Sequence, residues 1–574
     1  MNNVKESANF IWSIADLLRG DYKQSDYGKV ILPFTVLRRL DSVLINTKEE
    51  VLKKFEKVKA MNVQNLDPIL NKAAGYNFHN RSQFDFKKLV ADPNNIAANL
   101  RNYINGFSED AREIIEQFEF DNQITKLEDN NLLFLVLKRF EEMDLHPNKV
   151  SSMEMGYMFE ELIRKFAEIS NETAGEHFTP REVIKLMVNL LFMDDTNTLT
   201  KKGIVKTIYD CCAGTGGMLS VAEEYLRELN PDARLEVFGQ ELNAESYAIC
   251  KSDMLIKGQN PTNIKKGNSI SEDQLEGQKF DYLITNPPFG VKWKKIQKKV
   301  QDEHDDLGHG GRFGAGLPSV SDGSFLFLMH LMSKMKSTEA GGSRLAIVFN
   351  GSPLFSGSPS SKKNESSIRQ WIIENDLLES VIALPDQLFY NTGISTYVWL
   401  ITNNKPKERK GKVQLINAIE FYKKMSKSLG SKRNELSEDH INEITKLYGE
   451  FKESKQCKIF DNADFGYAKV TVERPLIKNG KIVKDSKGNP KPDSSLRDTE
   501  NIPLKEDIQE YMKREVLPHV PDAWVDEAKT NVGYEINFTK YFYEYKPLRS
   551  LDEIRRDILA LEQETEGLIK DVII

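Results

Sequence analysis

Cysteine is scarce in this chain of 574 residues. Its four cysteines, Cys211, Cys212, Cys250 and Cys457, make neither a CxxC metal spacing nor a disulfide framework. Histidine is thin too: eight residues and no HExxH pattern, so no catalytic metal is expected. No apolar run approaches the ~18 residues of a membrane span, and Met1 to Glu6 do not read as a secretory leader. No Gly-Lys pair precedes Ser or Thr, which excludes a Walker-type phosphate loop. Positive charge is not in excess, with 79 Lys and Arg against 86 Asp and Glu. The net charge of −7 gives the whole chain no basic footprint, and any grip on a polyanion has to be local or shared with another chain. These absences leave a cytoplasmic protein of roughly three or four domains, with no membrane partner.

The most informative residues present are Asn286-Pro287-Pro288-Phe289, directly after the apolar run Tyr282-Leu283-Ile284-Thr285. Two prolines cannot continue a sheet ladder, so the chain leaves the strand rigidly at its carboxyl end. In an open α/β sheet that edge is where ligands bind. An Asn oxygen and a backbone carbonyl can accept both hydrogens of an exocyclic amine, and Phe289 can cover the flat ring that carries it. A plain Asn-Pro turn is the competing reading.

Upstream lies a second strand–turn–helix. Ile204 to Tyr209 reads as a strand, followed by Asp210-Cys211-Cys212-Ala213-Gly214-Thr215-Gly216-Gly217 and a helix with apolar spacing near 3.6. Glycines there admit close approach of a ligand to backbone. The pattern is not GxGxxG, because the later glycine is missing. Leu235 to Gln240 forms the next strand and ends at Glu241, placed to accept from ribose hydroxyls or to serve as a helix N-terminal acid. Asn268, after a third short strand, is a candidate for contact with an adenine.

In this order, Asp210–Gly217, Glu241 and Asn286–Phe289 resemble the methyl-donor and catalytic motifs of S-adenosylmethionine-dependent amino-methyltransferases of DNA. Gly175-Glu176-His177-Phe178-Thr179-Pro180-Arg181 resembles the further cofactor motif of the subclass in which that motif comes first. Arg312-Phe313-Gly314, Ser321 to Phe325, Leu378 to Tyr390, Asn391 to Ile394 and Arg497 to Pro503 extend the resemblance to modification (M) subunits of type I restriction-modification systems. It implies S-adenosyl-L-methionine as cofactor, held by Glu176, His177, Phe178, Thr179, Pro180, Arg181, Asp210, Gly214, Thr215, Gly216, Gly217, Glu241 and Asn268. It assigns catalysis to Asn286, Pro287, Pro288 and Phe289. The implied reaction is methyl transfer to adenine N6 of double-stranded DNA. The implied partners are a specificity (S) subunit, two M subunits to each S subunit, and a restriction (R) subunit in the full complex. Transfer to a protein glutamine, transfer to cytosine N4, or a non-catalytic assembly role remain open at this point. Cys211-Cys212, where Pro-Ala is frequent, and Asn268, where an acid is frequent, are the departures.

The expected fold is α/β: a Rossmann-like S-adenosylmethionine-dependent methyltransferase core with a mainly parallel sheet. An all-helical N-terminal domain precedes it, and a C-terminal extension ending in a helix follows. The expected boundaries are 1–167, 168–420, 421–545 and 546–574. Five local expectations go with it. Pro33 stands near the start of a helix from Ile31, and the last strands of the core form an antiparallel edge pair. Two glycine-rich loops, Gly351 to Asn364 and Gly308 to Gly316, are mobile. The basic run Lys292 to Lys299, with Trp293 interleaved, touches a displaced strand or phosphate. Ile554, Ile558, Leu561, Leu568 and Val572 fall on one face of a terminal helix, which the resemblance docks beside the specificity subunit.

Overall fold

The computed structural model describes the backbone of all residues except 1, 61–64, 171–178, 196–198, 360–362, 391, 544–549 and 573–574. The chain divides into two units, Met1–Ile536 and Asn537–Ile574. None of the described helices is long and apolar enough to cross a membrane.

Helices build the first 170 residues, among them Asn2–Leu18, Tyr27–Leu44, Leu133–Glu141 and Ser152–Ser170. Helix Tyr27–Leu44 is buried at every position but Lys29. It starts four residues earlier than expected, which moves Pro33 from the helix start into its second turn. An interior proline costs about 3 kcal/mol. Burial of Ile31, Leu32, Phe34 and Leu37 around it outweighs that local cost.

The central sheet begins with β1 (Val205–Asp210), β2 (Arg234–Glu241), β3 (Ile264–Lys266) and β4 (Tyr282–Thr285). It continues with β5 (Arg344–Phe349), β6 (Leu378–Ala383), β7 (Tyr397–Thr402) and β8 (Lys412–Asn417). A hairpin, β9 (Lys423–Leu429) and β10 (Lys432–Glu435), stands apart from the sheet. β11 (Cys457–Asp461) rejoins it, giving the order β11-β8-β6-β7-β5-β4-β1-β2-β3. β1 pairs in parallel with both β2 and β4. The chain steps outward from β1 to β3 and then crosses to β4 on the other side. The carboxyl ends of β1 and β4 therefore flank the topological switch point, where open α/β sheets bind ligands.

Two details differ from expectation. The antiparallel β7 is not at an edge; it lies between β5 and β6 and pairs with both. Its run Tyr-Val-Trp-Leu-Ile-Thr is apolar on both faces, with Trp399 fully buried, so an interior position suits it. The edge pair is β8 with β11, which carries the sheet past residue 420 to Asp461.

Helix Ala244–Ile256, which follows β2, belongs to two cores. Ala248, Ile249, Leu255 and Ile256 pack with the N-terminal helices, while Tyr247, Cys250 and Met254 pack under the sheet. Lys251 Nζ (2.6 Å) and Tyr247 Oη (3.1 Å) both donate to the Glu113 carboxylate of the N-terminal region.

Beyond the sheet, β12 (Gly466–Glu473) is followed by a two-stranded hairpin, β13 (Ile477–Lys478) and β14 (Lys481–Ile482). β15 (Asp498–Pro503) and β16 (Trp524–Tyr534) flank β12 in a separate three-stranded sheet. Arg369, fully buried on helix Glu365–Glu374, donates to Tyr534 O (2.8 Å) and Pro353 O (3.1 Å), tying this sheet to the core. In the second unit, helix Leu551–Val572 exposes Leu551, Ile558 and Leu561. The side chains of Leu568 and Val572 lie outside the described residues.

Candidate active site

β1 and β4 are locked together at their carboxyl ends. Asp210 Oδ1 accepts from Thr285 Oγ1 (2.7 Å) and from the Cys212 amide (2.9 Å). The carboxylate is 1% exposed, and burial, with Glu241 nearby, pushes its pKa up to about 7 against these two hydrogen bonds. Asp210 thus faces inward and shapes the turn. The turn itself needs glycine: Gly214 (φ +52°) and Gly216 (φ +84°) are left-handed, and a Cβ on Gly216 would stand 2.8 Å from Cys250 Sγ. A Cβ on Gly214 would meet nothing within 4 Å, which leaves room for a ligand against the backbone.

Glu241 closes the turn from the neighbouring strand. Its Oε2 accepts from the Gly214 amide (2.8 Å) and Oε1 from the Asn243 amide (2.7 Å). Burial raises its pKa and the backbone amides oppose the shift. A carboxylate offers about four lone-pair positions, so these bonds leave it able to accept from hydroxyls. Asn243 itself caps helix Ala244–Ile256, its Oδ1 accepting from Ser246 N (2.8 Å).

Asn286 is 9% exposed, and its Nδ2 donates to Thr179 Oγ1 (2.8 Å). That bond ties the Asn286 amide to the segment just before helix Arg181–Phe192. Pro287 is buried; Pro288 and Phe289 are half-buried, and the Phe289 ring meets Phe389 edge-on at 6.2 Å.

A cavity of about 500 Å³ runs between these strand ends. Cys212, Gly214, Glu241, Asn268, Asn286 and Pro288 line it, along with Leu242, Val291 and Phe327. A smaller recess beneath the turn is lined by Glu160, Thr179, Asp210, Thr215, Gly217 and Asn286. The structure therefore brings Asp210, Gly214, Thr215, Gly217, Glu241, Asn268 and Asn286 to one place. Asn268 uses its Oδ1 to accept from Ile270 N (2.9 Å) and Ser271 N (3.1 Å), which shapes its own turn.

Arg181 lines neither cavity. It donates to Glu160 Oε1 (2.6 Å) and Gly217 O (3.2 Å), bolting helix Ser152–Ser170 to the start of helix Gly217–Leu229. Pro180 caps helix Arg181–Phe192. Glu176, His177 and Phe178 lie outside the described residues. Sequence reasoning missed three residues of the site: Thr285, which holds Asp210, and Leu242 and Phe327, which wall the cavity; Thr179, expected to hold the cofactor, is hydrogen-bonded to Asn286. Leu242 had a legible signal, a large apolar side chain directly after a strand-end acid, and it is 64% exposed.

Two further expectations are corrected. Trp293 is 4% exposed and its indole donates to Ser319 O (2.9 Å), so it anchors the segment after Asn286–Phe289 and has no face for a base. The glycine-rich stretch 308–316 is fastened down. Arg312 donates to Glu303 (2.6 Å), Ser269 O (3.1 Å) and Ile270 O (2.8 Å), and its Nη1 lies 3.2 Å from His330 Nδ1. Burial, with that guanidinium, pushes His330 down to about 3, so the ring is neutral and links Arg312 to Tyr209 Oη (3.0 Å). Its glycines serve close packing: a Cβ on Gly314 would stand 2.3 Å from Gly308 O. Of the other loop, residues 360–362 lie outside the described residues, and Ser352–Phe355 forms a helical turn.

Comparison with known proteins agrees with this geometry. A family model described as N-6 DNA Methylase matches residues 151–479, and one described as HsdM N-terminal domain matches residues 7–140. The type I restriction enzyme MjaIX methylase subunit of Methanocaldococcus jannaschii is 27% identical over 500 residues, 83% of each chain. The EcoKI methylase subunit of Escherichia coli is 23% identical over 365 residues, 60% of this chain and 62% of its own. In fold, the chain resembles the methyltransferase subunit of a type I restriction-modification system from Streptococcus thermophilus. The TM-score is 0.63 at 24% identity, over 80% of this chain and 97% of that one.

Proposed function

The chain belongs to the N-6 DNA methylase family, and from that premise we propose how its residues transfer a methyl group from S-adenosylmethionine to adenine N6, as the modification subunit of a type I restriction-modification complex. The observation that carries the proposal is Asn286 at the carboxyl end of β4, its amide oriented by Thr179 beside a cavity at the switch point.

The cavity suits S-adenosylmethionine. Open space beside Gly214 admits a ligand against backbone amides, Glu241 is placed to accept from ribose hydroxyls, and Leu242 offers an apolar wall to a flat base. Asn268 stands at the same wall and Thr215 and Gly217 line the recess beneath. When bound, the group supplies an activated methyl on a sulfonium. The rest falls to the chain. A target adenine leaves the duplex at a cost of roughly a few kcal/mol. Phe289 stacks on it. The Asn286 Oδ1 and the Pro287 carbonyl accept from the N6 amine and draw its hydrogens out of the ring plane, which aims the nitrogen lone pair. Positioning supplies most of the acceleration, and no covalent enzyme intermediate is needed. Arg181 and Asp210 act as positioning residues through Gly217 and Thr285.

The net charge of −7 supports a shared DNA grip, with sequence recognition supplied by a specificity subunit and cleavage by a restriction subunit. Two copies of this chain serve one specificity subunit. The exposed apolar residues of helix Leu551–Val572 suit docking to it. Nucleoside mass spectrometry on DNA incubated with S-adenosylmethionine tests the reading: N6-methyladenine is expected when the specificity subunit is added. N4-methylcytosine, or a methylated protein glutamine with unmodified DNA, would overturn it.

A further inference from the structure

Between β12 and β15 the chain makes an excursion that neither the sheet core nor the active site uses. Val472 pairs with Asp498, so residues 474–497 leave and re-enter at one point. They form two successive hairpins. Ile477 pairs with Ile482 and Lys478 with Lys481, across a turn in which Asn479 (φ +49°) and Gly480 (φ +71°) are both left-handed, as a two-residue hairpin loop of this hand requires. The chain then doubles back: Lys491 N donates to Val483 O (2.8 Å), Leu476 N to Lys491 O (2.8 Å) and Asp485 N to Asn489 O (2.8 Å). The arm is therefore an ordered element, pinned at its base by Arg474 on Asp522 (3.1 Å) and Arg497 on Glu473 (2.8 Å).

Its charges are lopsided. Between those base residues stand Lys478, Lys481, Lys484, Lys487 and Lys491 against Asp485 and Asp493 alone. All five lysines are exposed, and among the described residues none of them takes part in an ion pair. The two aspartates are spent locally. Asp485 accepts from Lys487 N (2.8 Å) and Asn489 N (2.9 Å), and Asp493 from Ser495 N (2.9 Å) and Oγ (2.6 Å). Cations nearby are treated differently: Lys505 bridges Asp461 and Asp464, and Lys529 bridges Glu473 and Asp526. Lys478 directly opposite Lys481 is itself unfavourable in a hairpin. Such a pair is retained at a cost that an external polyanion would remove.

We propose that the double hairpin of residues 474–497 is a phosphate-gripping arm that lies on the backbone of duplex DNA, with Lys478, Lys481 and Lys484 as its main contacts. This rests on the reading of the chain as a DNA methyltransferase and adds a place where a chain of net negative charge holds its substrate. The contact reads no bases, because lysine here meets phosphate and not a base edge. Trp293, buried beside the basic run Lys292 to Lys299, leaves that run less suited to the task than the arm.

The test is the salt dependence of DNA binding by the full chain assembled with its specificity subunit, compared with the variant K478Q/K481Q/K484Q. Each phosphate contact adds about 0.9 to the slope of log affinity against log salt. The variant should therefore show a slope shallower by about 2.7, so that between 50 and 200 mM salt the unaltered protein loses about 40-fold more affinity than the variant does. S-adenosylmethionine affinity should be the same in both, which confirms that the exposed substitutions leave the fold intact. Equal slopes overturn the proposal. Loss of assembly with the specificity subunit at an unchanged slope overturns it in favour of an acidic protein partner. Failure of the unaltered protein to methylate DNA would instead strike the functional reading, since the slope is read from binding alone.

Discussion

At the scale of single residues, the site divides into groups that face the cavity and groups that hold them. Glu241 faces it at the end of β2. Replacing Glu241 with Ala removes the carboxylate that accepts from Gly214 and Asn243 and would accept from a ribose. A loss of cofactor affinity of roughly 10-fold or more is expected by calorimetry, given the ~1.5–3 kcal/mol of a hydrogen bond to a charged group; unchanged affinity would remove Glu241 from the site. Thr179 holds from behind. Thr179→Val leaves a buried amide donor unsatisfied and lets Asn286 turn, so turnover should fall with little change in cofactor affinity. Equal losses in both would make Thr179 part of the cofactor site instead.

Asp210 gives a pH signature. Its folded pKa of about 7 lies above its ordinary 3.8, so between those values the native state keeps a proton that the unfolded chain has released. The contribution of this group to stability is whole below pH ~4 and is lost as pH rises through 7. Asp210→Asn keeps an acceptor for Thr285 without this cost. Its melting temperature relative to the parent should climb from pH 4 to 7.5, and a pH-independent difference would show that Asp210 is not held protonated. The sequence marked Asp210 as a site residue through the resemblance of Asp210–Gly217 to a methyl-donor motif. It could not say that the carboxyl points inward at Thr285, since the register of β1 against β4 decides that. The partner of Arg181 was illegible for the same kind of reason: Glu160 is 21 residues away on another helix.

At the scale of elements, periodicity and turn chemistry were most legible where they agreed with tertiary packing. The strand–glycine turn–helix after β1, the Asn-Pro-Pro exit from β4 and the Asn479-Gly480 hairpin are local signals with local causes. The interior place of β7, the late edge strand β11 and the extended start of helix Tyr27–Leu44 are set by which surfaces remain to be covered. Helix Ala244–Ile256 is the clearest case. It is buried on most of its surface although it carries Ser246, Lys251 and Ser252 among its buried residues, and that burial comes from two cores closing on it. Ile249 is 2% exposed in the N-terminal core, so Ile249→Ala should destabilise the protein by about 2–4 kcal/mol in denaturant unfolding. A cost below ~1 kcal/mol would mean that the N-terminal helices do not close over this helix.

At the scale of the whole molecule, the architecture sets the Asp210–Gly217 turn, Glu241 and Asn286 on neighbouring strand ends. It brings the N-terminal helices onto the helix that follows Glu241. The central claim is that Asn286 presents the adenine amine. It is tested most directly by quantifying N6-methyladenine, by mass spectrometry of digested DNA, formed by the complex carrying Asn286→Ala, with S-adenosylmethionine affinity measured on the same sample. Transfer lower by about 10²–10³-fold or more, at nearly unchanged cofactor affinity, is the predicted result. Methylation at the parent rate, or loss of cofactor binding together with activity, would contradict the account.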